Sequence, residues 1–214
     1  MTLDVRLYQS SDRESVFRIA ADTAFFGDPV EKFLDDRRLF CDAFCASYID
    51  LEAEQCWIAT AGDEVVGFLL GCTDTRTHDR RWRRQYLLKL LQRAVSGFYR
   101  IGERTWRYAL ELAGAYLRKE IPIVNLRTYP AHLHINLDAR WRGYGLDSRL
   151  IGAYLDQLRQ LKVPGVHLMT TSKNGIACHL YEKMGFYLLD SRSTHIWKGI
   201  VAERVENRCY GLIL

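Results

Sequence analysis

The sequence has no long apolar run and little that is typical of a low-complexity chain. Its densest apolar segment, residues 65–72, is far shorter than the roughly 18 to 20 residues that a membrane-spanning helix needs. The N-terminal segment has no apolar core and is charged from Asp4 onward, so no secretory signal is predicted. With only 4 prolines and 48% hydrophobic residues, the composition excludes disordered and collagen-like chains. We therefore expect a folded cytoplasmic protein with no membrane partner.

The net charge is small, but it is unevenly distributed. The whole chain carries a formal charge of +4, which is too little to indicate a nucleic-acid partner. Residues 74–120 hold 12 Lys and Arg against 5 Asp and Glu, a net of +7, so the other 167 residues sum to −3. The arginine-rich run at 80–84 is more typical of a solvated face than of a nucleic-acid site. The basic segment instead predicts a substrate or a partner surface with acidic groups.

The 6 cysteines predict neither a disulfide framework nor a metal site. A chain of this length does not depend on disulfides, and buried reduced thiols agree with a cytoplasmic protein. Cys41 and Cys45 would share a helix face, but no second pair supplies the remaining zinc ligands. His132 and His134 likewise lack a third ligand that the sequence identifies. We therefore expect no metal.

The order of the apolar patterns predicts one mixed α/β domain over residues 1–214. Strands are predicted at 3–8, 56–60, 64–71, 132–138, 166–171, from 186 onward and at 208–214. Helices are predicted after a capping box of Ser11 and Glu14, at 31–51, from the turn at 142–145 to about 161, and at 174–184. The strand at 64–71 is apolar throughout, so it should be covered on both faces.

Residues 74–120 depart from this alternation and are predicted to form a helical insertion. Apolar residues recur at helical offsets in two stretches on either side of Gly102: Leu87, Leu90, Leu91, Ala94, Val95 and Phe98, then Trp106, Ala109, Leu110, Ala113 and Leu117. This spacing is typical of amphipathic helices that bury one apolar stripe. We therefore expect two helices separated by a short break.

The segment that follows strand 132–138 is suited to binding an anion. A strand that enters a glycine-containing turn and then a helix leaves the first N–H groups of the helix unpaired. These donors and the positive end of the helix dipole favour a pyrophosphate group. Gly143 and Gly145 would let phosphate oxygens approach the backbone closely, and Arg142 can add charge. The pattern alone is weak, because an ordinary tight connection has the same form.

The residues of this turn carry a resemblance to a known family. The run Arg142-Gly143-Tyr144-Gly145-Leu146-Asp147 resembles the acetyl-CoA pyrophosphate loop of the GNAT acyltransferases, written Q/R-x-x-G-x-G/A. An apolar helix, a strand and Asn174 follow at the family's distances, and residues 180–186 (LYEKMGF) resemble its F/L-Y-E-K-x-G-F ending. The resemblance covers nearly the whole chain except the insertion. It implies a GNAT fold, with a mixed and mostly antiparallel central sheet and helices on both faces.

Two details refine the resemblance. Residues 129–135 (YPAHLHI) are similar to the bacterial acetyltransferase-like proteins related to the C-terminal domain of O-GlcNAcases. Asp147 departs from the pattern, because the family has Gly or Ala there. A carboxylate favours the empty helix N-terminus but would repel a bound pyrophosphate. The alternative register that begins at Arg140 ends on Gly145 and satisfies the pattern, but it misplaces the turn relative to the strand.

The resemblance implies acetyl-CoA as cosubstrate and assigns roles to particular residues. The implied cofactor-binding residues are Ile135, Leu137, Arg142, Gly143, Tyr144, Gly145, Leu146, Asp147, Ser148 and Asn174. Tyr181 matches the position that protonates the coenzyme A thiolate, although a core tyrosine with a satisfied hydroxyl would fit the same pattern. Asn174 can contact the cofactor, act as a helix N-cap, or do both.

The polar face of strand 132–138 supplies the candidate residues for the acceptor side. His134 is the predicted general base, with His132 or a water chain as alternatives. His132 and Asn136 are predicted substrate contacts, since an amide orients a substrate by hydrogen bonds but cannot act as a base. A purely structural role for both histidines under the inserted helices remains open.

Together these features predict an N-acetyltransferase that transfers an acetyl group directly to a small-molecule or peptidic amine. The inserted helices are expected to line or cap the acceptor site. The alternative is a non-catalytic acyl-CoA-binding module, which Asp147 and the lack of a Glu base on strand 132–138 favour. A homodimer is a possible assembly, but the sequence does not determine the oligomeric state.

Overall fold

The computed structural model describes residues 2–214 and confirms the expected α/β fold. Within this range the strands are β1 (Leu3–Leu7), β2 (Trp57–Ala61), β3 (Glu64–Cys72), β4 (Ala131–Leu137), β5 (Gly165–Thr171), β6 (Tyr187–Thr194) and β7 (Val205–Ile213). They form one seven-stranded sheet in the order β1-β2-β3-β4-β5-β7-β6. Only β4 and β5 pair in parallel; every other neighbouring pair is antiparallel.

Helices cover both faces of the sheet. They are α1 (Arg13–Asp22), α2 (Arg37–Phe44), α3 (Ala46–Leu51), α4 (Thr75–Trp82), α5 (Leu88–Val95), α6 (Glu103–Leu117), α7 (Leu146–Gln160) and α8 (Gly175–Lys183). Helices α7 and α8 pack with Leu133 and Leu137 of β4 on one face. Helices α1 and α3 pack with Phe68 and Leu70 of β3 on the other face. Because side chains alternate along a strand, His132, His134 and Asn136 of β4 lie on the α1 and α3 face.

Strand β3 has the buried, two-sided environment that its apolar run predicts. Val66, Phe68, Leu69 and Leu70 are fully buried between the two helical layers. Helix α7 likewise buries Leu146, Leu150, Tyr154 and Leu158, whereas Leu161 lies beyond the helix and is exposed. At roughly 1.5 to 3 kcal/mol for each large apolar side chain, this burial fixes the position of β3 and β4 against α7.

Strands β4 and β5 pair only at their beginnings. The parallel ladder joins Ala131 to Val166 and His132 to His167, and no further pair is formed between the two strands. The backbone N–H of Asp138 donates to the carbonyl of Val66 across the opposite edge. Because backbone groups of an antiparallel strand point to alternate edges, those of Ile135 and Leu137, which lie beyond the paired stretch, face the widening gap. The sheet therefore has an internal edge of unpaired backbone groups.

The insertion is helical, but its apolar stripes face outward. Helices α4 and α5 are joined by a π-helical turn, Arg83–Leu87, into one continuous rod. Most of the apolar residues that define the two stripes are exposed: Leu87, Leu91, Val95, Phe98, Trp106, Leu110 and Leu117. The expectation that these stripes are buried was wrong.

The insertion contacts the domain largely through polar residues instead. The Tyr86 hydroxyl donates to Asp50 (2.6 Å), and the indole N–H of Trp82 donates to the carbonyl of Ala43 (3.0 Å). At the start of α6, the hydroxyl of Thr105 donates to Asp35 (2.8 Å). Helical periodicity identifies an apolar stripe but does not identify what the stripe packs against.

Three predicted boundaries also differ from the structure. The helix expected at 31–51 is divided, because Asp36 caps a new helix, α2, by accepting from the N–H groups of Arg38 and Leu39. The first capping interaction involves Gln9 and Asp12 rather than Ser11 and Glu14. The last strand begins at Val205, three residues before the predicted start.

All six cysteines are free and buried, as predicted. Across residues 2–214, no group of three or more His, Cys, Asp or Glu side chains is placed to hold a metal ion. None of the helices in that range is long and apolar enough to cross a membrane.

Candidate active site

The turn before α7 opens onto free space beside the gap between β4 and β5. Gly143 and Gly145 have φ of +83° and +74°, a left-handed region that favours glycine over residues with a side chain. A Cβ built on either glycine meets no atom within 4 Å. The first N–H groups of α7 therefore lie at an unobstructed surface. This arrangement fits an anionic group of the size of a pyrophosphate.

The two charged side chains of this turn are placed differently from each other. Asp147 turns back on its own helix, where its carboxylate accepts from the backbone N–H of Ser148 at 2.8 Å. It therefore occupies one of the donors that an anion would use. Arg142 is exposed and forms no ion pair within residues 2–214. Its guanidinium lies against the backbone of Gly27, close enough that a side chain at this position would crowd it. Tyr144 is exposed, and its ring lies 5.7 Å from that of Trp141.

Helix α8 begins at the corresponding end of β5. Because β4 and β5 are parallel, the N-termini of α7 and α8 both follow the carboxyl ends of their strands, on the same side of the gap. Asn174 stands at the N-cap position of α8, but its side chain makes no capping hydrogen bond. Its amide donates instead to the hydroxyl of Thr170 at 3.3 Å. The amide oxygen of Asn174 is therefore not used by the helix.

Tyr181 of α8 has a buried ring and a hydroxyl without a partner. Its side chain is only 6% exposed and packs in the same cluster as Leu133 and Leu137 of β4. Within residues 2–214 the hydroxyl forms no hydrogen bond. Its oxygen is also not among the polar atoms that are fully buried without a partner, so it is accessible. The hydroxyl is therefore the end of the side chain that solvent reaches. Burial above all, and then Cys178 and Asp147, raise the pKa of Tyr181, which keeps the hydroxyl protonated.

Tyr154 of α7 shows what a satisfied core tyrosine looks like in this domain. Its ring is fully buried, and its hydroxyl donates to the carbonyls of Cys72 (2.8 Å) and His132 (3.0 Å). Tyr181 lacks such a bond, and it therefore departs from the purely structural alternative.

His134 and Asn136 lie on the opposite face of β4, and each has one polar atom without a partner. Nε2 of His134 is 3.1 Å from the Tyr48 hydroxyl, and the amide of Asn136 donates to the Thr23 hydroxyl at 2.7 Å. Nδ1 of His134 and Oδ1 of Asn136 form no hydrogen bond in the described part of the chain, and neither is among its fully buried unpaired atoms. Both atoms are therefore open to a ligand. The amide oxygen is an acceptor, and Nδ1 is an acceptor in the tautomer that carries its proton on Nε2.

His132 lies deeper than His134 and uses both ring nitrogens. It is 7% exposed, with Nε2 2.5 Å from the Tyr48 hydroxyl and Nδ1 2.8 Å from the Thr75 hydroxyl. The structure thus places His132 behind His134 rather than at the open face of β4.

Both histidines are uncharged at neutral pH. Burial, with smaller contributions from His78 and His167, lowers the pKa of His134 to about 4. Burial also holds the pKa of His132 well below its ordinary value, and the neighbouring His134, His167 and His78 act in the same direction. A neutral imidazole has one N–H donor and one lone pair, so each ring presents one acceptor nitrogen.

An aromatic cluster borders this face and involves the insertion. The ring of Phe44 stands edge-on to His134, with centroids 4.6 Å apart. Further along, Trp197 packs against Phe33 (5.5 Å) and against Tyr108 of α6 (5.8 Å). The insertion therefore lies on the same side of the sheet as His134.

Several residues around His134 were not predicted from the sequence. Tyr48 and Thr75 come from helices α3 and α4, and Thr23 follows α1. Nothing in their local spacing marks them, because they meet β4 only through the packing of helices that are distant in sequence. The polar face of β4 does predict that some polar side chains must pack against it, because buried polar groups need hydrogen-bond partners. It does not identify which residues these are.

The comparisons with known proteins agree with this fold. The model of the acetyltransferase (GNAT) family matches residues 14–186, which is most of the chain. The protein therefore belongs to the GNAT acetyltransferase family, and acyl transfer is the activity that this membership indicates.

Individual relatives are similar to the chain to different extents. The crystal structure of SsHAT is 28% identical, with a TM-score of 0.75, and the match covers 100% of this chain and 98% of that one. The polyamine N-acetyltransferase of Drosophila melanogaster, which forms N-acetylagmatine, is 16% identical with a TM-score of 0.63 and full coverage of both chains. Mycothiol acetyltransferase of Nocardiopsis dassonvillei is 39% identical over 57 residues, which are 27% of this chain and only 17% of that protein.

Proposed function

We propose that the protein is an acetyl-CoA-dependent N-acetyltransferase that acts on a primary amine. The observation that carries this proposal is the pair of open polar groups on the two faces of β4. The unpaired Tyr181 hydroxyl lies on the α7 and α8 face, and the open acceptor atoms of His134 and Asn136 lie on the other. Two substrates can therefore meet at the unpaired edge of β4 from opposite sides.

The α7 and α8 face has the features that a coenzyme A thioester requires. Bound acetyl-CoA would supply an acetyl group activated as a thioester. The N–H groups at the start of α7, with Arg142, would hold its pyrophosphate. The backbone groups of Ile135 and Leu137 face the gap and would pair with the amide groups of the pantetheine arm. The unpaired N–H groups of this open edge are suited to stabilising the oxyanion.

The α1 and α3 face has the features that an amine requires. A lysine-like amine is neutral in only roughly one molecule in a few thousand at pH 7, so it must lose a proton before it attacks. Nδ1 of His134 and Oδ1 of Asn136 accept N–H groups and so orient the nitrogen. Because the pKa of His134 is about 4, its lone pair is available throughout the neutral range.

The proton transfers balance across the two faces. The ammonium first releases one proton to solvent. As the C–N bond then forms and the C–S bond breaks, His134 takes the second proton, which the attacking nitrogen loses. Tyr181 gives its hydroxyl proton to the departing sulfur. Solvent then carries one proton from His134 back to Tyr181, and both residues return to their starting states.

The charge of the insertion indicates the class of amine. Residues 74–120 carry a net charge of +7 and lie on the same side of the sheet as His134. An amine that also carries acidic groups, in a small molecule or a peptide, would be attracted to this face. From the similarity of residues 129–135, our hypothesis is that the protein is related, within its family, to the bacterial acetyltransferase-like proteins that resemble the C-terminal domain of O-GlcNAcases.

Asp147 favours a second candidate function, a non-catalytic module that binds acyl-CoA. Its carboxylate already occupies the Ser148 N–H and would repel a pyrophosphate. Titration calorimetry with acetyl-CoA tests both candidates, since no binding at about 1 mM would contradict both. Release of free thiol across a panel of acidic and neutral primary amines then separates them. All six native thiols are buried, so the background of this assay is low.

Tyr181→Phe, with Tyr154→Phe as its control, tests the proton donor. We expect Tyr181→Phe to lower kcat about 10-fold or more with the affinity for acetyl-CoA nearly unchanged. Tyr154→Phe removes the bonds of a buried hydroxyl to two carbonyls and should lower stability rather than turnover. If Tyr181→Phe behaves like Tyr154→Phe, Tyr181 is a core residue and the assignment is wrong.

A further inference from the structure

A chain of hydrogen bonds connects His134 to a backbone carbonyl at the start of β4. His134 Nε2 lies 3.1 Å from the Tyr48 hydroxyl, which lies 2.5 Å from His132 Nε2. His132 Nδ1 lies 2.8 Å from the Thr75 hydroxyl, and that hydroxyl lies 2.7 Å from the carbonyl of Pro130. Four contacts thus join groups from β4, α3 and α4.

The carbonyl of Pro130 fixes the direction of the whole chain. A carbonyl can only accept, so the Thr75 hydroxyl must donate to it. The Thr75 oxygen then accepts from His132, which therefore carries its proton on Nδ1. The remaining nitrogen of His132 is an acceptor and takes the single hydroxyl proton of Tyr48. The Tyr48 oxygen in turn accepts from His134 Nε2, so the lone pair of His134 is on Nδ1.

We propose that Tyr48, His132 and Thr75 are positioning residues that hold His134 in the tautomer with its lone pair on Nδ1. This inference rests on the proposed function for its catalytic meaning, but the tautomer itself belongs to the resting protein. Nδ1 is the nitrogen that has no partner in the structure, and it is the one that must receive the amine proton. The opposite tautomer would present an N–H donor to the amine and could not act as a base.

The direction of the chain also strengthens the base. Each donor points away from His134 Nδ1 and toward the carbonyl of Pro130, so successive bonds polarise one another in one sense. Electron density is pushed onto the His134 ring, which partly offsets the loss of basicity that burial causes. An inverted chain would withdraw density from the same nitrogen.

The other polar groups around this chain do not supply a competing proton. Cys72 Sγ lies 3.2 Å from His132 Nδ1 and is a weak acceptor for the same N–H. His78 stacks on Tyr48 with ring centroids 4.3 Å apart, contacts Ser47, and lies 3.7 Å from Glu52. His167 donates from Nδ1 to the carbonyl of Tyr129 at 3.0 Å. Within the described residues, none of these side chains forms a hydrogen bond with the Tyr48 hydroxyl.

Nitrogen NMR of the histidine rings tests the tautomers without any substrate. With 15N-labelled histidine at pH 7.5, a ring nitrogen that carries a proton is distinguished from one that does not. We expect His134 to be protonated on Nε2 and His132 on Nδ1, with signals assigned from single His→Gln variants. A His134 ring that is protonated on Nδ1 would overturn the proposal.

Thr75→Val removes the anchor of the chain while keeping the shape of the side chain. His132 Nδ1 then loses its acceptor, so the chain can invert, and we expect the His134 signals to shift toward the Nδ1–H tautomer. In the acetylation assay kcat should fall about 3-fold to 10-fold with KM nearly unchanged. Thr75→Ser keeps the hydroxyl and should restore both the ring signals and kcat.

These readouts separate the chain of hydrogen bonds from the proposed function. If the tautomers are as expected but no amine is acetylated, the proposed function is wrong and the role of the hydrogen-bond chain in fixing the tautomer is retained. If Thr75→Val lowers kcat with unchanged ring signals, or Thr75→Ser fails to restore them, the residue has only a structural role and the proposal is wrong. Tyr48→Phe serves as a second variant, because it removes the hydroxyl that links His134 to His132. The tautomer of His134 should then no longer depend on the tautomer of His132.

Discussion

Each half of β4 contains one histidine, and the two histidines, His132 and His134, have very different environments. In the first half, the strand is paired on both edges and His132 uses both nitrogens in hydrogen bonds. In the second half, the strand is paired only with β3, and His134 keeps one nitrogen open. The side chains are two residues apart on one face, so roughly 7 Å of strand separates them.

The difference shows how a closed sheet supports an open site. Pairing at Ala131 and His132 holds β4 and β5 together, and the separation that follows exposes backbone groups to a ligand. Because unpaired buried polar groups are costly, the closed half satisfies its groups internally. In the open half, Nδ1 of His134 and Oδ1 of Asn136 have no partner among the described residues.

The largest expected effect comes from removing the two histidines separately. His134→Ala should lower kcat about 100-fold or more, because general-base catalysis typically contributes that much, while the unfolding free energy changes little. His132→Ala should lower the unfolding free energy by about 2 to 4 kcal/mol, since it leaves a cavity and unpaired partners in the core. Steady-state kinetics and urea unfolding of both variants measure the contrast.

A matched control for this contrast is His179→Ala, because His179 is exposed on α8. This variant should change neither kcat nor stability. Equal losses of activity in His134→Ala and His132→Ala, without a difference in stability, would mean that the two halves of β4 do not differ as described.

A second, smaller effect is a loss of stability in mild acid. The folded protein holds the pKa of His134 at about 4 and that of His132 well below its usual value, against about 6.5 in an unfolded chain. Between these values the unfolded chain binds more protons, so stability is complete above about pH 6.5 and falls as the pH drops toward 4. After allowance for its partial exposure, we expect His134 to account for about 2 kcal/mol.

Urea unfolding at several pH values measures this dependence. Asp138 and Glu120 have pKa values lowered to about 2 by Arg140 and Arg118, so their contribution is lost only below about pH 4.5 and overlaps that of the histidines only between pH 4.5 and 4. His134→Gln should flatten the slope between pH 6.5 and 4, and His179→Gln should retain it. An unchanged slope in His134→Gln would show that the ring is solvated in the folded protein.

The geometry of the glycine turn could be predicted from the sequence better than the surroundings of His134. The positive φ of Gly143 and Gly145 and the exposed start of α7 are local consequences of a strand, a glycine turn and a helix. The alternation of β4 likewise assigned His134 and Asn136 to one face. Tyr48 and Thr75 were beyond such reasoning, since they reach His134 through the packing of α3 and α4.

The insertion shows the opposite limit of sequence patterns. The stripe that includes Trp106, Leu110 and Leu117 has ideal helical spacing, yet these side chains are exposed. Helix α6 packs through Thr105, Tyr108 and Ala115 instead. Periodicity reports which residues share a face, whereas the choice of the buried face depends on a tertiary surface that no local pattern describes.

The smallest expected effect concerns Asp147, at the boundary between the open strand and the helix. Asp147→Ala frees the Ser148 N–H and removes a negative charge from the site of the pyrophosphate. We expect the Kd for acetyl-CoA to fall about 3-fold to 10-fold, while the ligand-free protein loses about 0.5 kcal/mol of stability at the helix N-terminus. Calorimetry and thermal unfolding measure the two changes, which have opposite signs.

Asp156→Ala is the matched control for Asp147→Ala, because Asp156 lies on the same helix and forms an exposed ion pair with Arg159. This variant should leave the Kd unchanged. Weaker binding in Asp147→Ala would contradict the repulsion, because it would show that the carboxylate helps to hold the cofactor or to shape the turn. Tighter binding would instead show that the Asp147 carboxylate, which accepts from the Ser148 N–H, limits the affinity of the protein for acetyl-CoA.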